Sequence, residues 1–175
     1  DGKIHAHITG NKNPEFPELP RFGVRMFLNK QADRVTYYGM GPQESYCDKH
    51  QGAGHGWYRA SVEEMHEDYI RPQENGSHYD CDYVEVADGQ TGLAATGRAF
   101  SVNVSPYTQE ELERAAHNYE LTEADSTILC LDYALNGIGS NSCGPEVAES
   151  YRLDGENIDF RFTLVPFNRE RRWKD

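Results

Sequence analysis

Long apolar runs are missing from this 175-residue chain: no stretch approaches the roughly 20 consecutive apolar residues that a membrane helix needs. Basic residues are few. Seventeen Lys and Arg against 29 Asp and Glu leave a net charge of −12, which argues against nucleic acid or an anionic membrane as partner. Cysteine is sparse and dispersed. Cys47, Cys81, Cys130 and Cys143 form no CxxC pair and no dense framework, so reduced thiols in a cytoplasmic protein are expected rather than a disulfide scaffold. No signal peptide is expected, and the sequence shows no low-complexity linker and no repeat beyond two short turn motifs. Apolar content is low as well, 37% with a mean hydropathy of −0.80. The core must therefore come largely from 11 Tyr, 7 Phe and 2 Trp, each a large apolar contributor.

Alternation of period two dominates what is present. Ile4-His5-Ala6-His7-Ile8 alternates from the outset, and a chain opening on a strand without Met is expected to be part of something longer. Phe22, Val24, Met26 and Leu28 share one strand face, with Arg21, Gly23 and Arg25 opposite. Further strands are expected at 35–38, at 79–86, at Phe100-Val102-Val104, at 128–133 and at 158–165. In 79–86, Tyr79, Cys81 and Tyr83 are read as one face and Asp80 and Asp82 as the other. Short intervals rich in Gly, Pro and Asn separate these runs, the signature of an antiparallel sandwich or barrel. One helix is expected near 109–117, opened by Thr108 and Glu111 as a capping box, and a shorter one within 61–69. Gly52–Trp57 reads as a flexible loop.

Several constellations bear on function. Glu44 and Glu74 each follow a Pro-Gln turn and suggest the carboxylate pair of a glycosidase; the competing reading, adopted here, is that they satisfy backbone groups at loop corners. Cys47, His50 and His55, with His78 and Cys81 further on, offer zinc-type ligands but lack a second tight pair. Trp57, Tyr58, Tyr69, Tyr79 and Tyr83 are candidates for a sugar-stacking platform, against ordinary cross-strand packing. His78 and Glu74 raise an acid–base pair of the mutarotase kind. Gly137–Pro145, with its Gly, Ser and Asn content, must be a shaped loop. Arg169, Arg171, Arg172 and Lys174 make a basic tail.

The turn motifs Gly41-Pro42-Gln43-Glu44-Ser45-Tyr46 and Arg71-Pro72-Gln73-Glu74-Asn75-Gly76-Ser77-His78 stand thirty residues apart, and Gly137–Pro145 follows as a third block. Their order and spacing resemble the C-terminal domain, of small-chain type, of the large bacterial β-galactosidases of glycoside hydrolase family 2. Leu19–Gly23, Tyr37–Gly39, Ser105–Leu112 and Ala116-His117 match in order as well. The resemblance implies an all-β, antiparallel two-sheet supersandwich of galactose-mutarotase type, of which this chain is the C-terminal part, with one short helix. It places the sandwich at 1–166 and the basic tail at 167–175.

It further implies a fragment of an enzyme that hydrolyses terminal β-D-galactosides such as lactose with retention. The catalytic glutamates of that family, and its magnesium and sodium ions, lie in a (β/α)₈ barrel domain that this sequence does not contain. No catalytic residue and no cofactor is therefore expected here. The partners implied are the remaining domains of the enzyme, the barrel included, the β-galactoside, and further copies in a homo-oligomer. The family's equivalent of Gly137–Pro145 reaches the mouth of the active site, so Asn141, Ser142 and Cys143 are the expected substrate contacts. A Trp stands there in several members where this chain has Cys143, in a loop one residue shorter. A free-standing carbohydrate-binding module and a pure assembly domain are the alternatives.

Overall fold

The computed structural model describes residues 2–139, 146–155 and 157–169, and in it the alternating stretches become eight antiparallel strands. These are β1 (Ile4–Asn11), β2 (Arg21–Asn29), β3 (Arg34–Gly41), β4 (Gly54–Ser61), β5 (Ser77–Ala87), β6 (Thr91–Ser105), β7 (Ser126–Leu135) and β8 (Asn157–Asn168). The strand β6 organises the rest. Its first half pairs with β8, its second half pairs with β7, and β5 runs along its opposite edge. Beyond these partners lie β1 on β8, β2 on β7, and β3 then β4 on β5.

The change of partner falls between Gly97, opposite Phe162, and Ser101, opposite Asp132. There Ala99 adopts the left-handed region at φ 52°, and its N–H donates to Asp82 Oδ1 at 2.9 Å. The two arms leaving β6 close on one core, with Leu129 and Leu131 from β7 and Phe160 and Phe162 from β8. Tyr133 and Phe160 touch across the fork at 5.9 Å between ring centroids. The opposite wall is Val35, Tyr37, Val84 and Val86. The chain is an all-β sandwich, as the alternation implies.

Some expectations need correction. Residues 54–57 are not a loop but the start of β4; glycines at 54 and 56 hide the alternation from the sequence. The strand β6 begins at Thr91, nine residues before Phe100. Helix α1 (Gln109–Arg114) stops short of 117 because the backbone turns extended at Ala115. Its cap is half a box: Thr108 Oγ1 accepts from the Glu111 N–H at 3.2 Å, while the Glu111 carboxylate turns to Arg114 and the Thr122 N–H. The reciprocal box forms instead at Ser61 and Glu64, yet it opens only a 3₁₀ turn, Glu63–Met65, since the chain is extended again at His66. Strand β8 runs two residues past 166, and the Arg169 N–H bonds to the Gln90 carbonyl at 2.8 Å, so 167–169 belong to the body. Among the described residues no helix is long and apolar enough to cross a membrane.

Candidate functional site

The two Pro-Gln-Glu turns dock against each other. The Ser45 N–H donates to the Ser77 carbonyl at 2.7 Å, and Ser45 Oγ donates to the Met40 carbonyl while accepting from the Tyr79 N–H. Glu44 is the knot between the turns. Its carboxylate accepts from Lys49 Nζ at 2.6 Å, the Gly76 N–H at 2.9 Å, and the hydroxyls of Tyr46 and Tyr69. Burial pushes that carboxyl up, but the bonds from Lys49, Tyr69 and Gly76 outweigh it and hold it below the ordinary range.

Glu74 accepts from Arg21 Nη1 at 3.0 Å, and burial leaves its carboxyl raised despite that cation. Each carboxylate is therefore occupied by structural partners: Glu44 satisfies a backbone group, the Gly76 N–H, as the loop-corner reading expects, whereas Glu74 is held by the Arg21 guanidinium instead of backbone. His78 is enclosed in the core, where Nδ1–H donates to the Met40 carbonyl at 3.1 Å, so it faces no groove as an acid or base.

The zinc-type ligands do not converge. His50 is bonded to the Tyr46 carbonyl, His55 to the Asp80 carbonyl and His78 to the Met40 carbonyl, and Cys81 is fully buried. Among the described residues no three such side chains are placed to hold a metal ion. The five aromatics also separate. Tyr58 turns inward on Tyr37, Tyr69 serves Glu44, and Tyr79 lies beside His50, while Trp57 and Tyr83 meet on the outer face.

Asn141, Ser142 and Cys143 lie outside the described residues, as do Arg171, Arg172 and Lys174 in the tail. What is described is the base of that loop, and Asp48 builds it. Its Oδ1 accepts from the Ile138 N–H at 3.1 Å and its Oδ2 from the Gly139 N–H at 2.7 Å. The Gly137 N–H donates to the Tyr151 carbonyl at 2.9 Å, and Asn136 Oδ1 accepts from the Leu153 N–H at 2.8 Å, tying the outgoing stem to the returning one. Both glycines are needed. A Cβ on Gly137 would fall 2.8 Å from Asp48 Oδ2, and Gly139 holds φ 57° against Val147. The segment that follows the first turn block thus anchors the third. The sequence assigned no role to Asp48 or Asn136; the only signal was an acidic residue two positions past the Glu44 turn.

A family profile described as "Beta galactosidase small chain" matches residues 1–164. The chain is 47% identical over 165 residues to a β-galactosidase of Actinobacillus pleuropneumoniae, covering 94% of this chain and 16% of that protein. It is 39% identical over 165 residues to one from Staphylococcus xylosus, covering 94% and 17%, and 33% identical over 162 residues to one from Kluyveromyces lactis, covering 90% and 15%. The chain therefore spans 15–17% of the length of these relatives. With a match running from the first strand into the last, this chain belongs to the β-galactosidase small chain family.

Proposed function

We propose that this chain is the C-terminal part of a retaining β-galactosidase that hydrolyses terminal, non-reducing β-D-galactose from lactose-type substrates. One observation carries the reading: proteins named β-galactosidase match 94% of this chain, yet the chain makes up only 16–17% of them. Its contribution is architectural. The loop carrying Asn141, Ser142 and Cys143 borders the active-site opening, and the Asp48 clamp gives that loop a fixed origin. Catalytic carboxylates, magnesium and sodium belong to the barrel domain. The partners are the other domains, the galactoside and, in the assembled enzyme, further copies; the compartment is the cytoplasm.

The test is direct. The purified chain should leave a chromogenic β-galactoside intact, and covalent union with the remaining domains should give activity. Hydrolysis by the isolated chain, abolished by Glu44→Gln or Glu74→Gln, would overturn the reading, because those residues would then be the catalytic pair.

A further inference from the structure

We propose that the outer face of β3, β4 and β5 carries a groove for a neutral oligosaccharide, built on Trp57. Register places the parts. Trp57 lies directly opposite Tyr38, and Tyr38 directly opposite Tyr83, so all three side chains leave the same face of the sheet. The next row on that face is Arg59, Thr36 and Glu85. The core lies on the other face, where Val35, Tyr37, Val84 and Val86 are buried.

Trp57 is 63% exposed, but it is not loose. Its ring centroid lies 5.1 Å from Tyr38 at 46° and 5.3 Å from Tyr83 at 62°, so two tyrosines prop the indole. Tyr38 is itself held edge-on by His55 at 4.6 Å. A ligand stacking on this indole loses little to ordering it, because its rotamer is already fixed.

The groove beside Trp57 measures about 820 Å³, the size of a small-molecule site. Its charged lining is three guanidinium groups (Arg34, Arg59, Arg169) and three carboxylates (Asp33, Glu64, Glu85), so formal charge cancels there in a chain of net −12. The Arg59 guanidinium has no hydrogen-bond or ion-pair partner among the described residues. The lining as a whole carries no net charge to favour an ionic ligand. A pyranose suits it: its C–H face fits an aromatic ring, and its neighbouring hydroxyls match donors and acceptors side by side. The inference stands apart from the galactosidase reading, since the groove would take sugar whatever enzyme carries it.

Calorimetric titration of the chain with lactose, β-1,4-galactotriose and cellotriose tests it. Saturable binding to at least one of the three is expected. Trp57→Ala should weaken that binding about tenfold and Trp57→Phe much less, since the ring remains. Arg59→Ala should weaken it severalfold without touching the aromatic row, which keeps the test sound if the Trp57→Ala protein unfolds. Absence of binding to all three sugars, or equal affinity in wild type and both alanine variants, overturns the proposal. So does sedimentation in which Trp57→Ala turns a dimer into monomers, for the face would then be a protein interface.

Discussion

Arg21 grips Asp132 with two guanidinium nitrogens, Nε on Oδ1 at 3.1 Å and Nη2 on Oδ2, while its third nitrogen holds Glu74. The geometry sits at a bulge in β7, where Tyr133 is the extra residue between the partners of Phe22 and Gly23. Gly23 faces Asp132, and a Cβ there would fall 2.3 Å from Asp132 Oδ1, so the glycine leaves room for the carboxylate to lie across the strand. Asp132 is almost fully buried, and burial pushes its carboxyl above the ordinary range while Arg21 pulls it back. Removing one member of a buried pair strands the other. Asp132→Ala is expected to cost about 3 kcal/mol in urea denaturation, and Arg21→Ala more, since it strands two carboxylates. A loss below about 1 kcal/mol for either would show that the pair is not sensed as buried.

Acid should destabilise the fold through His78. Burial pushes the His78 imidazole down to about 4 from an ordinary 6.5, against the upward pull of its bond to the Met40 carbonyl. A depressed folded-state value means the fold prefers neutral His78. That contribution is complete above pH 6.5 and is lost as pH falls towards about 4. The slope should approach about 1.4 kcal/mol per pH unit within that window. His78→Gln, which keeps a donor for the carbonyl, should flatten the curve between those pH values; an unchanged slope would place the effect elsewhere.

Gly76 cannot be replaced. Its φ is 68°, a Cβ would lie 2.1 Å from the Met65 carbonyl oxygen, and its N–H is one of the four donors to Glu44. Gly76→Ala combines backbone strain with a backbone clash, so a loss above about 2 kcal/mol is expected in thermal unfolding.

The Asp48 clamp should be visible locally. Asp48→Ala leaves the Ile138 and Gly139 N–H groups without their acceptor, at roughly 1–2 kcal/mol in that half-open setting. Amide exchange at those two residues should quicken about tenfold or more, with the core strands unaffected. Asp48→Asn keeps one carbonyl oxygen and should fall between.

Strands with clear alternation were legible, β2 and β8, and β7 was legible as a continuous apolar run. Counting by two failed in β5. Register shifts on both sides of Cys81, with Asp80 in the left-handed region, move the buried face to Cys81, Val84 and Val86 and turn Tyr83 outward. Nothing local announces such a bulge, because the residue that adopts it is an ordinary aspartate. Glu44 was legible as a residue satisfying backbone at a loop corner, while Glu74 bonds Arg21 instead, and their turns meet through Ser45 and Ser77, 32 residues apart, which no spacing reveals. The same holds for Arg21 and Asp132, and for Tyr38, which joins Trp57 and Tyr83 only through register.

Because β8 and β7 both read their alignment from one backbone, β6 acts as a common ruler for the two arms, with its zero mark at Ala99. A residue inserted between Gly92 and Gly97 would shift the reading for β8 and β1 and turn their inward side chains out, while β7 and β2, measured from Ser101 onward, would keep their alignment. An insertion after Ser101 would do the reverse. Each arm can thus be mis-set without the other, and the core that both must fill is what ties their errors together.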